Sequence, residues 1–548
     1  MPPHSADGRP TTDATAENFL TSGGPGPVVI VSGRAPYTAT VSQNGIKWQR
    51  GNGGLAQGGF VLPPGSVFIA NAQDHDDAHI VSSGHQPPRL TERGLRQIYL
   101  AASDEEVAGQ RAFFGRVTWF LHHDMLGEVG PPVGGHTEHD SSRPLATDDV
   151  RHLFDAHVTL NMLAAGTVLR VVADIAEETG LPPSAIPVLV QDHHFDLVPA
   201  FLEQQWHLDD NPFRNELSPP SVLFVHTAIA STPHWERFAD QFPDIARYHA
   251  TRLANTQVSV HDTTWARQWV DNLRSVLGPD ATLIEPWASA YPPNLERLNE
   301  IRGGKLFRVD DLDVHSKADG RRIIAAVGRV DPAKNFVALV QAFDALIHRR
   351  PDFRDNVVLM LQTSRPRDLP EYHEHEKALR RAIRAVNADA VDEHHDQLTP
   401  IVWFNDGSGH RAVSLELNAD VLAFPSIKDG FGHAALEGYA VGSTAALVAS
   451  PDTGATRWAQ VHAGPDSVIT IDPRSVDSIS QGLEAALDTP RVARVSSAAL
   501  LQRSSEELVA HAAPWRDEQI QWSYARRVVD ALRVAFIGVG SQRNLGRG

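Results

Sequence analysis

Short, uninterrupted apolar runs that end in polar residues recur through the chain, separated by segments with apolar positions at helical spacing. Residues 28–31 are the first such run: β-branched, bounded by a Ser-Gly-Arg turn, and suited to a buried parallel strand. Residues 62–80 predict further strand and loop. Residues 91–115 predict a helix with Thr91 as its cap, and 127–147, rich in Gly, Pro, His and Asp, predict a long loop. A helical pattern covers 149–178. The runs 186–190 and 221–225 predict strands that end in Asp192-His193-His194 and His226.

After a polar stretch at 303–320 the rhythm restarts. Strands are predicted at 323–327, 357–361 and 421–424. Phe336, Leu339, Val340, Phe343, Leu346 and Ile347 fall on one helix face, Leu379, Ala382, Ile383 and Val386 on another, and 434–440 form a short helix. Near the end, Trp522, Ala525, Val528, Val529, Leu532 and Val534 stripe a helix over 515–536. This alternation predicts an α/β chain of two Rossmann-like units, with ligands beyond the carboxyl ends of parallel strands. The expected division is a disordered start (1–26), a first domain (27–310), a second domain (321–510), a final helix (511–537) and a disordered tail (538–548).

Composition narrows the function. The chain has 548 residues, room for two cores, and a formal charge of −18, which argues against a nucleic-acid partner. It has no cysteine, so disulfides and thiolate chemistry are excluded. No signal-like start and no run of 18 apolar residues is visible, so the expectation is a cytoplasmic protein with no membrane partner. Small-molecule substrates are expected, and a homo-oligomer is left open.

Arg329 and Lys334 follow a predicted strand and precede a helix, a corner suited to a diphosphate. Composition alone favours two solvated surface cations there. Asp429 and Glu437 flank Gly430, Phe431 and Gly432, where a carboxylate can meet ribose and backbone amides an anion; a capped Gly-rich turn reads equally well. Gly51, Gly53 and Gly54 fit neither the dinucleotide fingerprint nor a P-loop. The histidines cluster at 122–124, 136–140, 192–194, 373–376 and 394–396 without metal-protease spacing, so no metal site is expected. Asp192 and His226 each end a predicted strand and could meet over sugar hydroxyls, although a core or capping histidine is the alternative for His226.

Taken together these pieces resemble glycosyltransferase family 20, the trehalose-6-phosphate synthase family, and most nearly its branch that includes the pseudo-glycosyltransferase validoxylamine A 7′-phosphate synthase. The resemblance runs from about residue 28 to 535. It rests on Ser32-Gly33-Arg34, Gly53-Gly54-Leu55, Trp119, Asp192, His226, Arg329 with Lys334, and Asp429 with Glu437, in family order and spacing. It implies a GT-B fold, a nucleotide-sugar or nucleotide-cyclitol donor, retention of configuration, an α,α-1,1 linkage, no metal or other cofactor, and a last helix that crosses back to the first domain. By resemblance, Gly54, His226, Arg329, Lys334, Asp429, Gly430, Phe431, Gly432 and Glu437 hold the donor. Arg34, Trp119, Asp192 and His193 hold the acceptor, and Asp192, His226, Arg329 and Lys334 carry catalysis. The family's Met-Asn-Leu after Asp-Gly is Phe431-Gly432-His433 here, and its Lys-Gly is Lys334-Asn335. These departures favour a specialised product over trehalose 6-phosphate; the synthase itself and an inactive nucleotide-binding homologue are the alternatives.

Overall fold

The computed structural model describes residues 26–43, 45–50, 62–72, 75–127, 146–288, 312–393, 399–440 and 442–511. Gly54, most of the 127–145 loop, the helix expected at 515–536 and both tails lie outside the described residues.

Among the described residues, nine strands precede residue 289: β1 (Val29–Ser32), β2 (Tyr37–Ser42), β3 (Gly45–Arg50), β4 (Val67–Ala70), β5 (Arg96–Tyr99), β6 (Val188–Gln191), β7 (Ser221–Phe224), β8 (Val258–Val260) and β9 (Trp287–Ala288). Seven of them form a parallel sheet ordered β5-β4-β1-β6-β7-β8-β9, while β2 and β3 pair as a separate antiparallel hairpin. β1, β4 and β6 are wholly or almost wholly buried, as strands covered on both faces must be. The second sheet comprises β10 (Arg322–Arg329), β11 (Val357–Ser364), β12 (Ile401–Phe404), β13 (Val421–Phe424), β14 (Ala446–Ala449) and β15 (Ile469–Thr470). It is also parallel, ordered β12-β11-β10-β13-β14-β15. Two parallel sheets flanked by helices fulfil the GT-B expectation.

Each sheet reverses its direction of growth beside its first strand, between β1 and β6 in one and between β10 and β13 in the other. Such switch points open a crevice at the carboxyl ends of the strands. Ser32, Gln191, Arg329 and Phe424 are the last residues of these four strands.

The helix expected over 91–115 is not one helix. Thr91 ends a short helix, Pro88–Thr91, and Arg96–Tyr99 is the edge strand β5. The buried inward residue of that strand is Gln97, whose side chain donates to Tyr37 O and accepts from Tyr37 N–H. A polar residue in that place hid the strand from an apolar pattern. The helix proper is Asp104–Ala112, capped by Ser103 and Glu106 in a capping box. It continues as a π-helical turn, Phe113–Thr118, into Trp119–His122. π-Helical turns cluster at functional sites, and this one faces the second domain. The 62–80 stretch likewise ends in a helix, His75–Ser82.

Helix Thr147–Thr179 has the length and apolar character of a membrane span, but half of its apolar window is buried in the protein. Val168, Val172 and Ile175 belong to the first core together with Val29 and Val67, and Gly180 stops the helix at φ 69°.

The halves are tied along two seams. Arg116 pairs with Glu371 at 2.6 Å, the Tyr372 hydroxyl donates to Gly115 O, and one apolar cluster mixes Phe113, Val117 and Phe120 with Ala333 and Tyr372. At the other seam the Trp265 indole donates to Gly430 O at 2.8 Å, and Arg457 pairs with Asp262 at 2.7 Å. Lys428, nearly fully buried, pairs with Asp124 between the halves.

Candidate functional site

The second sheet supplies cations. β10 carries Arg329 to its end, and Asp331 then caps the turn Pro332–Lys334 by accepting Ala333 N–H at 3.1 Å. Asn335, at φ 60°, opens helix Phe336–Arg349. Arg329 Nη2 donates to Asp331 Oδ2 at 2.7 Å, and Trp119 Nε1–H donates to Asp331 Oδ1 at 3.1 Å from the first domain. Burial opposes a charge on Asp331, yet the Arg329 and Arg367 guanidiniums outweigh it and hold the carboxyl well below its usual range. Lys334 is paired with Asp429, and this pair keeps Asp429 ionised against its burial.

Gly430 stands where nothing larger fits, because a Cβ there would lie 1.9 Å from His226 O. Phe431 is buried in the second-domain core, so its side chain is packing and only its backbone is available to a donor. Gly432, at φ 81°, turns the chain into helix Ala434–Ala440, whose first turn carries Glu437. The Nδ1 atom of His433 is buried there without a hydrogen-bond partner among the described residues.

The first sheet supplies a carboxylate and imidazoles. Asp192 follows β6 at φ 65°, a strained conformation for a non-glycine residue. Its Oδ1 accepts His226 N–H, Thr227 N–H and the Thr227 hydroxyl at 3.2–3.3 Å, so the structure does bring Asp192 and His226 together. Burial pushes the His226 imidazole down to about 4 and His194 to about 3, which keeps both neutral near pH 7.

His193 departs from expectation. Its ring is turned into the interior, where Nδ1 lies 3.3 Å from Asp196 Oδ2. Asp196 also accepts from His249 at 2.9 Å and His157 at 3.1 Å. A buried carboxylate needs donors on both oxygens, and that need draws His193 away from the acceptor side. His194 instead lines the cavity between the two halves, stacked on Phe114 with centroids 3.6 Å apart. His157, Asp196 and His249 are also the described residues grouped closely enough to hold a metal. Both Asp196 oxygens already have imidazole partners at hydrogen-bond distance, so the group is satisfied as a hydrogen-bonded network.

Between these walls lies a cavity of about 670 Å³ lined by Gly33, Arg34, Thr38, Gln49, Asn71, Arg111, Phe114, His194 and Arg367, among others. Burial and the neighbouring Arg367, Arg329 and Arg111 push the Arg34 guanidinium down to about 10. Three guanidiniums, Arg34 and Arg111 from the first half and Arg367 from the second, line this cavity, and Arg329 from the second half lies close enough to act on Arg34. Arg367 sits 4.2 Å above the Trp119 ring and Arg329 5.5 Å from it. Nε of Arg329 and of Arg367 is buried with no hydrogen-bond partner among the described residues. Arg367 Nε lies 4.0 Å from Asp331 Oδ2, so Arg329 and Arg367 share that carboxylate as counter-charge.

The reading from sequence missed Arg367, Arg111, Asp331 and His194. Arg367 lies just past the end of β11, and the strand-end rule that singled out Arg329 also finds it. Arg111 lies on a helix with no such signal.

Residues 304–521 match the family model of glycosyltransferase family 20. "Probable alpha,alpha-trehalose-phosphate synthase (UDP-forming) 2" of Arabidopsis thaliana is 22% identical over 392 residues, which cover 68% of this chain and 42% of that protein. The chain therefore spans about two-fifths of the length of that relative. Validamine 7-phosphate valienyltransferase of Streptomyces hygroscopicus subsp. jinggangensis is 25% identical over 45% of this chain and 48% of its own. The solved alpha,alpha-trehalose-phosphate synthase (UDP-forming) of Burkholderia vietnamiensis superposes with TM-score 0.66 over 93% of this chain and 98% of its own, at 15% identity. The chain is thus similar to glycosyltransferase family 20 and shares the fold of its trehalose-phosphate synthases. The pseudo-glycosyltransferase branch is not singled out.

Proposed function

We propose that this family-20-like chain transfers a glycosyl group from a nucleotide-linked sugar to a phosphorylated sugar, in the manner of a trehalose-6-phosphate synthase. The observation that carries this reading is the convergence of Arg34, Arg111, Arg329 and Arg367 on one cleft. Such charge density is costly to assemble and is suited to two anions, a donor diphosphate and an acceptor phosphate.

In this reading Arg329 and Lys334 hold the diphosphate and stabilise the charge that grows on it as the glycosidic bond breaks. No metal is required, because fixed cations fill that role. Lys334 exchanges its Asp429 partner for the diphosphate, and Asp429 then accepts ring hydroxyls. Glu437 takes the ribose. Arg34, Arg111 and Arg367 receive the acceptor phosphate in the cavity beside His194. Asp192 orients rather than attacks, since Oδ1 already accepts three hydrogen bonds and a carboxylate so engaged is a poor nucleophile. His226, neutral, accepts from or donates to a sugar hydroxyl.

A second reading, a non-glucose donor or acceptor in a specialised pathway, is favoured by His433, whose polar ring stands where the family has an apolar residue. One screen addresses both. Purified protein is incubated with UDP-, GDP- and ADP-linked glucose crossed with glucose 6-phosphate, free sugars and aminocyclitol phosphates, and products are read by mass spectrometry. The proposal expects transfer to phosphorylated acceptors. Turnover confined to unphosphorylated acceptors, or none with any nucleotide donor, contradicts it.

A further inference from the structure

His123 lies in the 122–124 histidine cluster but among none of the donor, acceptor or catalytic residues expected from sequence, and the first-domain helix that ends at His122 delivers it to the cleft. Its ring is almost fully buried and stacks on Trp119 with centroids 4.1 Å apart. Nδ1 lies 2.7 Å from Trp119 O. A carbonyl oxygen only accepts, so Nδ1 carries the proton and Nε2 is left with its lone pair. No described residue hydrogen-bonds to Nε2. The ring lies in the field of Asp331, Asp429 and Lys334, and burial keeps it neutral, its pKa pushed down to about 4. Trp119, which holds the ring, is itself fixed by its indole N–H on Asp331.

A fixed, neutral hydrogen-bond acceptor beside the diphosphate corner is of no use to an anion. It suits a hydroxyl that has a proton to donate. We infer that His123 is a specificity-determining residue whose Nε2 accepts a hydrogen bond from a ring hydroxyl of the group being transferred. The inference rests on the donor assignment above, because it places the transferred ring next to Lys334 and Asp429. It predicts that the enzyme discriminates against donors deoxygenated at one ring position, and that the discrimination resides in His123.

The test crosses protein and substrate variants. Wild type, His123→Phe and His123→Gln are assayed with the best parent donor and with its deoxy analogues at each ring position. Phe keeps the stack on Trp119 without the acceptor, and Gln restores an acceptor. Circular dichroism and nucleoside-diphosphate binding by calorimetry check that each variant is folded with an intact anion corner. Wild type is expected to lose about 10-fold or more in kcat/KM at one deoxy position, on the scale of one hydrogen bond to a buried group. His123→Phe should lose a similar factor on the parent donor and little more on that analogue, with partial recovery in His123→Gln. Equal loss by His123→Phe on the parent and every analogue overturns the inference. So does an unchanged deoxy penalty in a His123→Phe that binds nucleotide normally. A wild type that binds no nucleoside diphosphate overturns the donor assignment instead, a distinct result.

Discussion

The two walls of the cleft solve the same problem with opposite chemistry. The second domain presents cations at its strand ends: Arg329 at the end of β10, Lys334 in the following turn, Arg367 past β11. Their counter-charges, Asp331 and Asp429, are fixed beside them. The first domain presents imidazoles, among them buried His123 and His194 and half-buried His226, beside the carboxylate of Asp192. A charged wall holds an anion whatever sugar it carries. A neutral, hydrogen-bonded wall reads hydroxyls and tolerates little change in protonation. In the proposed reading the diphosphate is held by the second half, the acceptor phosphate by arginines of both, and hydroxyls are read by the first, so each half is vulnerable to a different perturbation.

The largest expected effect separates the walls directly. Arg329→Ala or Lys334→Ala should reduce turnover by about 100-fold or more, the scale of one lost transition-state charge contact. The unfolding midpoint should move little for Lys334→Ala, whose side chain keeps part of its surface exposed, and fall for Arg329→Ala, which strips the fully buried Asp331 of a counter-charge. Near-normal turnover in both variants, measured at saturating donor, removes the anion corner from the account.

Asp196→Ala should do the reverse. It strips three imidazoles of their shared acceptor, and breaking a buried charged network costs about 3 kcal/mol or more. Denaturant unfolding should show that loss. Hydrogen exchange should localise it to Thr147–Thr179 and Val198–Trp206, the helices beside the network. A midpoint within error of wild type contradicts the network's structural role.

The seam between the walls offers a third test. Gly430→Ala forces a methyl group into His226 O, and overpacking of that kind costs about 1–3 kcal/mol. The halves should part at this seam, with activity lost and both domains still folded by circular dichroism. Retained activity shows that the seam need not close.

The last test is the pH response, whose size is spread over several groups. His123, His194 and His226 are held at about 4, 3 and 4 in the fold, against 6.5 for an unperturbed imidazole. Below about pH 6.5 the unfolded chain takes up protons that these rings refuse in the fold, so stability falls as pH drops towards 4. Each contributes up to about 1.4 kcal/mol per pH unit across that window. Melting temperatures from pH 7 to pH 5 should decline, with exchange rising first in the first domain. A flat profile contradicts the neutral wall.

The same contrast explains what was legible in the sequence. The cationic wall is local: strand, tight turn and helix follow one another within a dozen residues, so Arg329, Lys334 and Asp429 could be singled out by position. The neutral wall is assembled from distant segments. Nothing near His193 announces that Asp196, shared with His157 and His249, will hold its ring, while His194 lines the cavity. β5 was hidden because Gln97 fills an inward position that a pattern reader expects to be apolar. Phe431 was assigned to the donor by motif, whereas its ring had already gone to the core. The strands of both sheets were legible because apolar runs of that length have one economical fate, burial between helices.

The central claim is that the arginine cluster receives an acceptor phosphate beside a donor diphosphate. The measurement that bears on it most directly is acceptor binding by calorimetry in the presence of saturating nucleoside diphosphate. Glucose 6-phosphate is compared with glucose, in wild type and in Arg34→Ala and Arg367→Ala. The account predicts that wild type binds the phosphorylated sugar at least about 100-fold more tightly than the free sugar, on the scale of charge-assisted contacts to a phosphate. Either substitution should abolish most of that preference while leaving nucleotide binding in place. Equal affinity for the two sugars in wild type, or a preference that survives both substitutions, would contradict it.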